Sequence, residues 1–335
     1  MPQLAPEAAA KVYRNSIVID ATAPILVNDE DWPKWQQGGV TCAFATLTIS
    51  RGGANMPGVI TSTAAWFAKL RKHGDRLLHA TSVADIERAK REGKLAVVFH
   101  FQNGAPIEYD INLVELYQRL GVRVIQLTYN VKNPLGDGCL ERTNAGLSDL
   151  GVAAVKEMNR VGILVDLSHT GERTTLDAME VSEKPVAFTH ANAKAVCDHP
   201  RNITDEQMRK LAALDGIMGL NGFPPFVRAN DPAPTLDHLI DHLDYIKKTI
   251  GIDHVGLGLD YFHSPRSDYD KRLASGEWKA SDYPPPPWNY PRGIGDASQL
   301  SAIAPAMAKR GYTDTEIAKV LGENFLRVLR AVWGA

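Results

Sequence analysis

The amino-acid sequence predicts an α/β fold, a (β/α)8 TIM barrel. Three observations carry the prediction: eight short apolar runs, helix-periodic segments between most of them, and glycines where helix gives way to strand. The runs cover residues 16–20, 42–49, 95–100, 122–129, 162–167, 186–189, 216–220 and 254–259. Most are continuously apolar rather than alternating, as expected for strands of a parallel sheet covered on both faces. Residues 111–120, 150–160, 205–214 and 236–250 place apolar side chains at three- and four-residue spacing, which lines one face of a helix. Gly93, Gly121, Gly162, Gly216 and Gly251 stand at re-entry from helix to strand. Eight such units in about 250 residues fit a closed barrel. A doubly wound open sheet shares the periodicity and differs only in closure.

No linker divides the 335 residues, so one domain spanning 1–335 is expected. A long segment, 263–292, follows the eighth run and carries Pro284-Pro-Pro-Pro287, Trp288 and Tyr290. A loop of that length on a compact barrel reads as a lid or an oligomer contact. Residues 313–333 read as two closing helices, with Leu321, Phe325, Val328, Leu329 and Val332 turned inward. Hydrophobic content of 44% and a net charge of −2 describe a soluble globular chain with no pull towards nucleic acid or an anionic membrane. Three cysteines, Cys42, Cys139 and Cys197, form no CxxC pair. That argues against a disulfide framework and for a reducing cytoplasm. The N-terminal segment has no apolar h-region, and no run approaches 18 apolar residues, so neither a signal peptide nor a membrane span is expected.

Barrel chemistry sits where the strands end. The fifth run ends Ile163-Leu-Val-Asp-Leu-Ser-His169 and the sixth ends Val186-Ala-Phe-Thr-His190. Two neighbouring parallel strands thus deliver an imidazole each to one edge. The eighth ends Gly256-Leu-Gly-Leu-Asp260, and a period of two puts the glycines and the carboxylate on one face, with room below the acid. His169, His190 and Asp260 form a three-ligand set of the kind that holds hydrolytic zinc with an open position. His100 shares a strand face with Gln102 and so points into the barrel one layer lower. It is a candidate acid or base, weighed against a core histidine bonded to the backbone.

These residues resemble a known family. Asn159-Arg-Val-Gly-Ile-Leu-Val-Asp-Leu-Ser-His169, Thr189-His-Ala-Asn192 with His199-Pro-Arg-Asn202, His254-Val-Gly-Leu-Gly-Leu-Asp260 and Gly322-Glu-Asn-Phe-Leu-Arg327 are similar to segments of the membrane (renal) dipeptidases, the M19 metallopeptidases. The likeness runs in register from about Ile17 to Trp333. It implies an amidohydrolase-type barrel, a two-zinc site, dipeptide hydrolysis and a homodimer. On that resemblance His169 and His190 match the ligands of the second zinc. Asp260 matches the acid beside the bridging water, and Arg201 the arginine that clamps the substrate carboxylate.

Other positions depart from the family pattern. Thr22 and Pro24 stand where the family has the HxD ligands of the first zinc, and Gln102 where it has the bridging glutamate. Proline has no ligand atom, and a neutral amide cannot offset the repulsion between two dications. A binuclear centre is therefore not expected, and one zinc or other divalent metal at most remains. Tyr129 replaces a histidine that contacts the substrate carbonyl, and its phenol can donate to an oxyanion. The sequence thus predicts a hydrolase of a dipeptide or other small amide of an amino acid. Asp260, Tyr129 and His100 are its catalytic candidates; Arg201, Gln102 and Asn221 contact a carboxylate-bearing substrate. The alternative is a non-hydrolytic protein that binds a small carboxylate on the same barrel.

Overall fold

The computed structural model describes residues 5–48 and 54–334. Ile49, assigned above to the end of the second run, lies outside them. Among the described residues nine parallel strands form: β1 (Ile19–Ala23), β2 (Cys42–Thr48), β3 (Leu77–His79), β4 (Leu95–Phe101), β5 (Val122–Gln126), β6 (Leu164–Asp166), β7 (Ala187–Phe188), β8 (Ile217–Leu220) and β9 (Val255–Leu257). The hydrogen-bonded order is β1-β2-β4-β5-β6-β7-β8-β9, with β3 pairing beside β4 off this path. The ring meets itself between β9 and β1: the Leu259 amide donates to the Asp20 carboxylate at 2.8 Å and the Asp260 amide to the Thr22 carbonyl at 3.2 Å. Eight strands thus make a nearly closed (β/α)8 barrel.

Two strands depart by three residues from the sequence reading. The first strand lies three residues later than 16–20, which places Thr22 inside it. β5 ends at Gln126 rather than Tyr129, because the chain turns there, with Asn130 in the left-handed region at φ 60°. β3 has no counterpart among the predicted runs. It pairs with the first half of β4 while β5 pairs with the second.

The strands are buried along their whole length, apart from the last two residues of β3 and Arg123 in β5, and they still alternate. Ile19, Ala21, Cys42, Phe44, Ala96, Val98, Val124, Leu164 and Ile217 point into one apolar cluster, while Ala43, Ala45, Val97 and Phe99 pack in another with the surrounding helices. Phe325, from the C-terminal helix, plugs the first cluster against Phe44, with ring centres 5.9 Å apart. The predicted closing helices are Asp314–Ala318 and Asn324–Trp333, joined by a π-helical turn, Lys319–Glu323. Helix ends follow their caps. Thr204 with Gln207, and Thr235 with His238, form capping boxes that start Asp205–Ala213 and Leu236–Ile250. Gly162, at φ 76°, ends Asp149–Val161 and turns the chain into β6.

Residues 263–292 include one helix, Arg266–Ala274, and fold over the mouth at the strand ends. Trp278 stacks on Tyr283 at 4.5 Å and donates from Nε1 to the Tyr129 hydroxyl at 3.4 Å, while the Tyr290 hydroxyl donates to the Asp260 carbonyl. Among the described residues no helix is long and apolar enough to cross a membrane.

Candidate active site

The barrel interior is layered. Above the Phe44–Phe325 plug lies a buried polar pair, His100 and Asp166, with Nε2 3.0 Å from Oδ2. Asp166, the last residue of β6, also accepts the amides of Ser168 and Thr189 at 2.9 and 3.0 Å and the Thr189 hydroxyl at 2.6 Å. Burial pushes its carboxyl up, but the hydrogen bond and charge of His100, aided by His190 and Thr189, outweigh that and hold it well below the usual range. His100 is therefore spent on Asp166. It is not among the grouped ligand atoms of the site, and its Nδ1 is buried without a hydrogen-bond partner.

At the strand ends His169, His190 and Asp260 come together. Each offers a ligand atom, and these atoms all lie within 4.8 Å of one another; all three residues are buried. His169 sits at φ 59° and Asp260 at φ 56°, left-handed conformations that cost non-glycine residues on the order of 1 kcal/mol or more each. Asn130, itself left-handed, gives its amide hydrogen to the Glu277 carbonyl at 3.2 Å and so turns Oδ1 to His169 Nδ1 at 2.7 Å. Nδ1 then carries the ring proton, and Nε2 is left as a bare, buried acceptor with no partner. Tyr129 stacks on this ring at 4.1 Å. Burial, reinforced by the Arg201 charge, holds both histidines well below their ordinary basicity, so both rings are neutral.

Asp260 has its carboxyl pushed up to about 7 by burial, against the lowering effect of Arg201 and of hydrogen bonds from Asn221 and Gln102. Asn221 Nδ2 lies 3.4 Å from Oδ2. Gln102 accepts from the Thr46 hydroxyl at 3.0 Å and turns its amide nitrogen to His190 Nε2 at 3.3 Å. Arg201 is 1% exposed and donates from Nη2 to the His190 carbonyl at 3.0 Å; Nε has no partner, and the guanidinium makes no ion pair among the described residues. A buried guanidinium with an unpartnered Nε has donors to offer a carboxylate.

The expected room beneath Asp260 is absent. A Cβ on Gly258 would stand 1.9 Å from the Thr189 carbonyl oxygen and 3.3 Å from His190 Cβ. That glycine is required because β7 passes against it. Cys139 has its thiol 3.5 Å from Asn130 Oδ1 and pushed up to about 11 by burial, so it is a neutral thiol here. Sequence reasoning missed Asn130 as the partner of His169, and Trp278 and Tyr283 as the cover of Tyr129. The signal for Asn130 was its place directly after Tyr129 at a strand end. The aromatics left no periodic trace.

The donor set fits one cation: two neutral imidazoles, one with an orphaned buried nitrogen, and one carboxylate. The places that the resemblance gives to the ligands of a second cation are occupied otherwise. Thr22 donates to the Ala21 carbonyl at 2.6 Å and faces His190 Nδ1, Pro24 carries no donor atom, and Gln102 presents an amide NH2 rather than a carboxylate.

The comparisons agree with this architecture. A family model described as membrane dipeptidase (peptidase family M19) matches residues 14–268 and 280–334. Dipeptidase tcpJ of Claviceps purpurea is 31% identical over 263 residues, 78% of this chain and 56% of its own length. An uncharacterized dipeptidase of Schizosaccharomyces pombe is 34% identical over 220 residues, 65% of this chain and 48% of its own. The chain thus spans about half the length of these curated relatives. A crystal structure of an amidohydrolase from Pseudomonas aeruginosa superposes with a TM-score of 0.88 at 32% identity, covering 99% of this chain and 100% of that one. With a family model matched over nearly all of its residues, the chain belongs to the membrane dipeptidase family, peptidase family M19.

Proposed function

We propose that this protein hydrolyses a dipeptide or another small amide of an amino acid, with at most one divalent cation. The observation that carries the reading is the grouping of His169, whose Nε2 is buried and partnerless, with His190 and Asp260, beside an Arg201 guanidinium that makes no ion pair among the described residues. Arg201 holds the substrate carboxylate through its two-pronged fork. A cation on His169, His190 and Asp260 would supply Lewis acidity towards water and the scissile carbonyl. Asp260, poised near neutral pH and steadied by Asn221, takes a proton from the attacking water and passes it to the leaving amine. Tyr129, whose phenol burial keeps protonated, donates to the oxygen that gains charge. Gln102 lines the same wall and offers its amide to the substrate. The segment 263–292, already against Tyr129 and Asp260, serves as the lid that excludes water. The three free cysteines accord with a reducing compartment, and a homodimer is the assembly the family resemblance implies.

Metal content of protein purified without chelator, with hydrolysis of a panel of L,L- and L,D-dipeptides, tests the reading. It expects no more than one zinc per chain, hydrolysis that rises with zinc, and loss of both in His169→Ala. No metal and no zinc-stimulated hydrolysis would refute it. Tight binding of a dipeptide without turnover would instead establish the carboxylate-binding alternative.

A further inference from the structure

The hydrogen bonds around His190 determine which of its nitrogens carries the proton. Thr22 and Thr189 both stand at Nδ1, with Oγ1 at 2.9 and 2.8 Å. A hydroxyl has one proton to give. Thr22 gives its proton to the Ala21 carbonyl at 2.6 Å, the nearer of two acceptors, the other being the Thr189 hydroxyl at 3.2 Å, and Thr189 gives its own to the Asp166 carboxylate at 2.6 Å. Only lone pairs remain to face Nδ1, so Nδ1 must be the donor. The opposite side of the ring leads to the same result. Gln102 accepts from Thr46 and turns its NH2 to Nε2, and an NH2 can only donate, so Nε2 must accept. The Ser168 hydroxyl adds a hold on the backbone, accepting from the His190 amide at 3.1 Å.

We infer that Thr22, acting with Thr189 and Asp166, is a positioning residue that locks His190 in the Nδ1–H tautomer and aims the Nε2 lone pair into the site. In the resemblance described above, Thr22 occupies the place of a lost first-zinc ligand. The structure gives that position a new task. The residue no longer binds a cation but orients a ligand for the one cation that remains. Asp166 acts one step further out: by taking the Thr189 proton it turns that hydroxyl into an acceptor. This is the outer-shell logic by which partners of a ligating histidine fix its tautomer and ring orientation. The inference deepens the proposed function and rests on it only for the consequence in metal affinity.

The test begins with metal-free, 15N-labelled protein, using long-range 15N–1H correlations of the imidazoles. The His190 signals are assigned by their loss in His190→Gln. The wild type is expected to show a proton-bearing Nδ1 and a bare Nε2, and the Nε2–H form would overturn the inference. Thr22→Val keeps the shape but removes the acceptor. It is expected to shift the Nδ1 resonance and weaken zinc binding at least about tenfold, whereas Thr22→Ser restores both. The double variant Thr22→Val/Thr189→Val is expected to release the Nε2–H tautomer. An unchanged Nδ1 resonance and a zinc affinity within twofold of wild type in Thr22→Val would overturn the role of Thr22, even if the double variant fails to fold. A wild type that binds no zinc would refute the functional reading while leaving the tautomer measurement to stand on its own.

Discussion

Replacing Arg201 by methionine should make the protein more stable and at the same time unable to recognise a carboxylate. The guanidinium is 1% exposed, with one hydrogen bond to the His190 carbonyl, an unpartnered Nε and the ring of Phe226 5.2 Å from Cζ. Burying an unpaired ion costs several kcal/mol even after relaxation. Methionine keeps an apolar stem over Phe226 and removes the charge. It also strips the His190 carbonyl of a donor, which costs about 1–3 kcal/mol. The net expectation is a gain of roughly 1–3 kcal/mol in urea unfolding. Binding moves the other way. Losing one partner of a desolvated charge pair costs about 2 kcal/mol or more, which is about 30-fold or more in affinity. The assay compares a dipeptide with its C-terminal amide by calorimetry. Wild type should favour the free acid by that factor, and Arg201→Met should not distinguish the two. A less stable variant, or one that still prefers the acid, would refute the assignment of Arg201 as a cation held ready for substrate.

Three other changes test separate parts of the site. Tyr129→Phe removes one donor to the developing oxyanion and should lower kcat about 100-fold with KM little changed; an equal loss in binding would show that the phenol recognises the ground state instead. Gly258→Ala drives a Cβ to 1.9 Å from the Thr189 carbonyl, so β7 must move; a loss of more than about 3 kcal/mol with weakened zinc binding is expected, against about 1 kcal/mol for Gly93→Ala, which meets open space at φ 67°. Asp20, whose carboxyl burial raises from 3.8 to about 6, is less acidic folded than unfolded, so the folded state binds the extra proton and stability falls as pH rises through that window, by about 3 kcal/mol in all. Asp20→Asn abolishes that slope: between pH 5 and 7.5 the wild type should lose about 1.5 kcal/mol relative to the variant in urea unfolding, and parallel curves would show that Asp20 does not titrate there.

The ring of strands was legible because apolar runs, glycines and helix periodicity all pointed the same way, and a parallel barrel buries each strand on both faces. β3 escaped because Leu77–His79 is three residues long, with only Leu77 fully buried, too short for any period to register. The edges of β1 and β5 were misplaced for a related reason. Apolar character continues past the hydrogen-bonded ladder into turns that are themselves buried, so hydrophobicity alone does not mark where pairing stops. The functions of Thr22 and Asn130 were hidden more deeply. Thr22 reads as a missing ligand when only its type is compared, and its bond to His190 spans 168 positions. Which atom donates depends on where each hydroxyl spends its single proton, and that is a property of the assembled network.

Asp260 joins His169 and His190 as expected, but by a different route from the one expected. Period two along the eighth run put Gly256, Gly258 and Asp260 on one inward face, but β9 ends at Leu257, before the carboxylate. What aims Asp260 is its left-handed turn at φ 56°, pinned by its own amide on the Thr22 carbonyl and by the Tyr290 hydroxyl on its carbonyl. The same device recurs at Asn130 and His169. Residues from three separate strand ends thus hold an unfavourable backbone conformation around one cluster of ligand atoms. Strain of that kind persists only where the surroundings over-determine it. Here they do: Asn130 is held by Glu277 and Tyr283 and itself holds His169, and Tyr290 reaches Asp260 from the covering segment. The segment after the eighth strand is therefore part of what shapes the site as well as what covers it. Shortening that segment should disorder the His169 and Asp260 turns before it weakens the barrel, which hydrogen exchange at the amides of Cys139 and Asp260 would report.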